Sequence, residues 1–210
     1  MPAPLIRINA DKPNPQEIQL VVNCLRDGGV IIYPTDTVYG LGCDITKKRA
    51  VERIAKLKGL KAEDAKFAMV FYDLSHLADY TKPLDNRIFR VMKSALPGAF
   101  TFILEANNSV PKIFNKHKKK EVGIRVPDHP IPREIVRVLG NPIVTTSVHD
   151  SDDLVEYTTD PHMIYENFKD HVDLIIDGGY GNNIPSTIVN CTEGELDVVR
   201  QGLGVLDEHL

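Results

Sequence analysis

The stretch Gly29-Val-Ile-Ile-Tyr-Pro-Thr-Asp-Thr-Val-Tyr-Gly-Leu-Gly-Cys43 decides how this chain is read. Its apolar run, Val30 to Tyr33, reads as a strand, and Pro34 ends it because proline has no N–H to give a ladder. Two threonines, an aspartate, a tyrosine and two glycines follow directly. They stand where an α/β sheet presents the carboxyl end of a strand and usually holds its ligand. On an extended segment Thr35 and Thr37 share a face, so both hydroxyls can address one small polar group. A hydroxyl-rich turn that serves only its own backbone is the competing reading of these residues alone.

Working outward, strands and helices alternate. Asn14 reads as an N-cap with Pro15 at the first helical position and Glu17 placed for a capping box. Ile18, Val21, Val22 and Leu25 form the buried face of that helix, and Gly28-Gly29 stop it before the Val30 strand. The Tyr39-Gly-Leu-Gly42 segment reads as a loop. A second helix follows it over 46–58, with Ala50, Val51, Ile54 and Leu57 inward and Gly59 at its end. Further strands are expected at 67–71, 100–104, 122–126, 143–146, 172–176, 187–189 and 196–199, with helices at 85–95, 130–139 and 160–168. Such alternation predicts a sheet with helices packed on it, an α/β fold.

The chain of 210 residues carries a formal charge of −4, which argues against a generally basic coat for nucleic acid. Its length suits one sizeable core, and no stretch marks a linker, so 1–210 is expected to be a single domain. No apolar run reaches membrane-spanning length and the N-terminus lacks a signal-peptide pattern, which together suggest a cytoplasmic protein. Three widely spaced cysteines without a CxxC favour reduced thiols over a disulfide framework or a zinc site. The usual nucleotide and hydrolase signatures (GxxxxGK[ST], GxGxxG, GxSxG and HExxH) do not occur.

With the quoted stretch stand further short motifs in order: Arg53-Ile54 through Lys58, Pro97-Gly-Ala-Phe-Thr101, Gly123-Ile-Arg-Val-Pro127 with His129-Pro130, Thr145-Thr-Ser147, Gly178-Gly179, Ser186-Thr-Ile-Val-Asn190 and Arg200-Gln-Gly202. Together they resemble the YrdC/YciO family of threonylcarbamoyl-adenylate synthases over nearly the whole chain, most closely its YciO branch. The resemblance implies a twisted mixed β-sheet with flanking helices and a concave ligand-binding face. It also implies an activity, formation of L-threonylcarbamoyladenylate from L-threonine, bicarbonate and ATP for tRNA modification, with Mg2+ covering the triphosphate. Every substrate of such a reaction carries a negative group. The site then needs cations and hydroxyls more than a nucleophile, and acts by positioning and electrostatic stabilisation.

Residue by residue, the resemblance places Thr35, Arg125, Thr145 and Ser186 on the amino-acid substrate, and Lys58, Ser147 and Arg200 on the nucleotide. Lys58 would equally complement the dipole at a helix C-terminus. Arg125 lies inside an apolar strand, where an unpaired charge would be costly, so it needs a partner: a ligand carboxylate or an internal acidic residue. Two positions depart from the synthase pattern. Where the family has K-x-R this chain has Lys58-Gly59-Leu60, and where it has S-x-N this chain has Ser147-Val148-His149. Weakened synthase activity is therefore expected, and a non-catalytic nucleotide- or double-stranded-RNA-binding relative is the alternative. For RNA the candidate residues are Lys118, Lys119 and Lys120 within a lysine-rich stretch; a solvated loop is the ordinary reading of such a run.

Overall fold

The structure, a computed structural model, describes residues 2–61, 67–111, 120–148 and 159–210. Lys118, Lys119 and His149 lie outside the described residues. Among the described residues ten strands form one mixed sheet. In chain order they are β1 (Leu5–Arg7), β2 (Val30–Tyr33), β3 (Gly40–Asp44), β4 (Ala68–Val70), β5 (Phe100–Glu105), β6 (Glu121–Arg125), β7 (Ile143–Ser147), β8 (Leu174–Asp177), β9 (Thr187–Asn190) and β10 (Asp197–Arg200). Across the sheet they run β1-β8-β2-β3-β7-β4-β6-β5-β9-β10. The pairs β1/β8, β2/β8, β4/β6 and β5/β9 are parallel and the other five antiparallel. Five α-helices flank it: α1 (Pro15–Arg26), α2 (Lys48–Leu57), α3 (Asn86–Ala95), α4 (Pro130–Leu139) and α5 (Pro161–Phe168). The expected α/β class holds, with a mixed sheet and helices beside it.

Capping explains where the helices start. Asn14, Asp85 and Asp160 each accept the N–H two residues on, from Gln16, Arg87 and His162. Helix α2 begins later than its sequence pattern suggests, because Asp44 Oδ1 takes both the N–H and the hydroxyl of Thr46 in a tight turn. It ends as read, with Gly59 in a left-handed conformation (φ +67°).

The Tyr39-Gly-Leu-Gly segment departs from its reading as a loop. Gly40–Asp44 is a central strand, paired antiparallel to both β2 and β7. Register accounts for its composition. Tyr33 lies opposite Gly40 and its ring crosses both strand glycines: a Cβ on Gly40 would stand 2.7 Å from Tyr33 Cζ, and one on Gly42 would stand 3.0 Å from Cε1. Glycine occurs here because the ring fills the space that side chains would need.

Alternation along the strands separates two cores. Val30, Ile32, Leu41, Cys43, Met69, Phe102, Ile124 and Val144 point to one face and pack with the apolar residues of α2 and α3. Ile31, Val70, Ile143, Leu174 and Ile176 point to the other and pack with α1 and α4. On this second face, outside the apolar cluster, the paired positions change character: Gly42, Thr145, Ala68 and Gly123 lie side by side across four strands. Small and hydroxyl-bearing residues take the place of large apolar ones here, beside the Tyr33 ring.

Candidate functional site

The loop between β2 and β3 holds itself together with the threonines. Thr35 Oγ1 donates to the carbonyl of Val38 (2.8 Å) and accepts the N–H of Thr37 (3.0 Å). Thr37 Oγ1 lies 3.2 Å from it and accepts from Arg125 Nη2 at 3.0 Å, so the Thr37 proton is free to go to Thr35. That fills the hydrogen-bonding capacity of the Thr35 hydroxyl from within the loop. The hydroxyls so serve the turn, as the backbone reading has it, and Thr35 and Asp36 also border a surface depression of about 550 Å³. His129, Thr159 and the segment Tyr180 to Asn183 form the rest of its wall.

Arg125 closes β6 and is buried. Its internal partner is Asp36, whose Oδ1 lies 3.1 Å from Nη2; both side chains are about nine-tenths covered. Asp36 Oδ2 also accepts the N–H of Asp128 (3.1 Å). The guanidinium is thus held at one corner. Its Nε is buried with no hydrogen-bond partner among the described residues, so one guanidinium N–H is left without an acceptor.

Arg125 stands in a line of polar groups. Beyond it, Thr101 of β5 lies with Oγ1 2.8 Å from Ser186 Oγ. The carbonyl of Ser186 accepts from Arg200 Nη2 at 2.8 Å. Behind that, Thr187 Oγ1 donates to the carbonyl of Gly204 and accepts the N–H of Gly202, which pins the turn after β10 against β9. The structure so brings together Thr35, Arg125, Ser186 and Arg200. Thr145 lies on the same face of the sheet, hydrogen-bonded to Tyr33 Oη at 2.5 Å, and half-buried Ser147 ends the same strand. Burial pushes the Tyr33 phenol up to about 12, so it keeps its proton and can donate to Thr145.

Lys58 and Lys120 stand apart from this line. Helix α2 packs on the opposite face of the sheet from Thr145, and Lys58 caps its C-terminus with a buried Nζ. Lys120 donates to Asn108 Oδ1 (2.8 Å), a contact within its own surface region.

Asp36, Tyr33, Tyr39 and His129 were not singled out as site residues by sequence reasoning, although all four fall inside quoted motifs. Tyr39 Oη donates to the carbonyl of Gly179 (2.6 Å) and accepts the N–H of Gly178, tying the loop after β8 to the β2–β3 loop. Gly178 lies against Pro34, where a Cβ would be 2.5 Å from the proline ring. His129 is the N-cap of α4, its Nδ1 accepting the N–H of Ile131 at 3.3 Å. Burial lowers its pKa, against the opposing pull of Asp36 and Asp128.

An acid dependence follows from that lowered value. Unfolded, the histidine takes up a proton near pH 6.5; folded, it does so only at lower pH. Below about 6.5 the unfolded chain binds more protons, so this contribution to stability is complete above that pH and is lost as pH falls. Replacing His129 by Asn, which can still cap, should make urea stability fall less steeply between pH 7 and 5. Parallel stability curves for the two proteins would contradict the assignment.

The comparisons with known proteins agree on one family. Residues 23–202 match the family model Sua5_yciO_yrdC, described as "Telomere recombination". The uncharacterised protein YciO of Escherichia coli (strain K12) is 40% identical over 198 residues, 94% of each chain. The crystal structure of E. coli YciO superimposes with a TM-score of 0.90 over 99% of this chain and 100% of the other. A threonylcarbamoyl-AMP synthase of Nitrosococcus oceani is 32% identical over 179 residues, 85% of this chain and 95% of the other. Sua5 of P. abyssi, solved in complex with L-threonine, gives a TM-score of 0.85 at 26% identity, over 95% of this chain and 58% of that one. This chain belongs to the Sua5/YciO/YrdC family, whose members here include both YciO and proteins named as threonylcarbamoyl-AMP synthases.

Proposed function

We propose that this protein binds L-threonine and ATP along the polar line from Thr35 to Arg200 and joins them, with bicarbonate, into threonylcarbamoyl-AMP. In that reaction the threonine amine adds to bicarbonate carbon with loss of water, and the new carbamate oxygen attacks the α-phosphorus as pyrophosphate leaves. The observation that carries the reading is Arg125: a buried guanidinium held through Nη2 by Asp36 and the Thr37 hydroxyl, with its Nε unpartnered among the described residues. A carboxylate is the natural acceptor for such an N–H. Thr145 and Ser186 supply hydroxyls for the amino acid, while Ser147 and Arg200 would take the nucleotide; Lys58, at the end of a helix on the opposite face of the sheet, has no place along this line. Among the described residues no group of three or more His, Cys, Asp or Glu could hold a metal ion. Mg2+ would enter with ATP as the counter-ion of its triphosphate. The product would serve tRNA modification in the cytoplasm.

Thr35 acts in this reading through the wall it builds. Thr35→Ala should therefore loosen the β2–β3 loop and weaken L-threonine binding several-fold while ATP binding changes little. Equal loss for both ligands in a calorimetric titration would contradict that assignment.

A second reading rests on Leu60. It stands half exposed where the synthase pattern has arginine, so no fork of donors is available there. A non-catalytic, nucleotide- or double-stranded-RNA-binding relative would keep the polar line and lack turnover. Purified protein with labelled bicarbonate, L-threonine and Mg-ATP separates the two: labelled adenylate supports the synthase, and retained ATP binding without product supports the relative. If the two departures limit the rate, Leu60→Arg with His149→Asn should raise product formation roughly tenfold, about 1.4 kcal/mol of transition-state stabilisation. An unchanged rate in a folded double variant would place the limit elsewhere along the polar line.

A further inference from the structure

His129 does two things with one ring. Nδ1 is committed as an acceptor: it takes the Ile131 N–H and caps α4, after Pro130 has set the first turn of that helix. A neutral imidazole with an accepting Nδ1 must carry its proton on Nε2. That nitrogen has no hydrogen-bond partner among the described residues. His129 is also among the residues that line the depression walled by Thr35, Asp36, Thr159 and Asn182.

We propose that His129 is a fixed hydrogen-bond donor to the amino-acid ligand in this depression, presenting Nε2–H to a carboxylate or carbonyl oxygen and unable to act there as a base. The ligand named here rests on the reading of the preceding section; the state of the ring does not. A cap makes a ring suited to this task, because the backbone N–H fixes both its tautomer and its orientation before any ligand arrives. The charged and titratable groups around the ring are Asp36 from the β2–β3 loop, with Arg125 beyond it, Asp128 from the β6–α4 turn, and Tyr180 from the loop after β8. The two carboxylates favour the imidazolium, and burial opposes them.

Three replacements separate the donor from the cap. Asn and Ser at position 129 can both accept the Ile131 N–H, so both should keep α4 and melt close to the parent. Only Asn also brings a donor long enough to reach toward the depression. The expected result is L-threonine affinity within about threefold of the parent for His129→Asn and a loss of tenfold or more for His129→Ser, with ATP affinity unchanged in both. His129→Ala should lose both affinity and stability. Equal losses for Asn and Ser, or none for either, would overturn the proposal.

Nitrogen NMR of the imidazole reads the tautomer directly, whatever the ligand. At pH 7 the ring should show a protonated Nε2 and an unprotonated Nδ1, and addition of L-threonine should shift Nε2 more than Nδ1. A protonated Nδ1, or a ring already cationic at pH 7, would overturn the proposal. A folded parent that takes up no L-threonine would overturn the substrate reading and with it the ligand named here. The tautomer would then still decide whether the Nε2–H donor exists.

Discussion

Replacing Asp36 by Ala is expected to cost about 3–5 kcal/mol, because it strands the Arg125 guanidinium in the protein interior. Side chains this deeply covered are not screened as a surface pair would be. The variant would leave Nη2 with Thr37 Oγ1 alone and take from the Asp128 N–H its acceptor. For a chain of this size the loss should lower the melting temperature by roughly 10 °C. Asp36→Asn should fall between: its amide can keep one acceptor but no charge. A cost under about 0.5 kcal/mol for Asp36→Ala would mean that the pair is solvated and that the argument for a preorganised Arg125 fails.

A second large effect is expected at the strand glycines, and it takes two different forms. At Gly40 every atom that an added Cβ would meet within 3.1 Å belongs to the Tyr33 ring. At Gly42 the closest atom is the backbone carbonyl oxygen of Val144, at 2.8 Å, with the ring next at 3.0 Å. Each change to Ala should cost about 1–3 kcal/mol by overpacking. In a Tyr33→Ala background the Gly40→Ala cost should largely vanish, since the ring that it strikes is gone. The Gly42→Ala cost should persist, since a β7 carbonyl cannot step aside without breaking the ladder. Denaturant melts of the two double-mutant cycles measure both couplings. Equal rescue at both positions would contradict the packing described.

These same glycines show where sequence reasoning stopped. The first helix could be placed from Asn14, Pro15 and the spacing of Ile18, Val21, Val22 and Leu25, because cap and period are local properties. Tyr39-Gly-Leu-Gly-Cys43 does alternate its apolar residues, but glycine, depleted in strands, stands at every other place and makes the segment read as a loop. Its strand character comes from pairing with β2 and β7 and from a ring supplied by another strand, and neither is written in the segment itself. Strand β1 is three residues at a sheet edge, too short for a period to register.

The site divides in a similar way. Thr35, Arg125, Ser186 and Arg200 were picked out by motif, and tertiary structure brings them into one line. That Arg125 required a partner followed from its apolar strand. That the partner is Asp36, 89 residues earlier, could not be read without the fold. The double duty of His129 was equally hidden, since a histidine before a proline looks like an ordinary helix start until the surrounding walls are known.

The most direct test of the central claim is a calorimetric titration of L-threonine into the parent protein and into Arg125→Lys. Lysine can keep the ion pair with Asp36 but offers no second donor edge, so the fold should survive while the amino-acid contact goes. Saturable binding by the parent, reduced thirtyfold or more in the variant with its melting temperature within a few degrees, is the predicted result. A folded parent that takes up no L-threonine, or a variant that binds it equally well, would contradict the account.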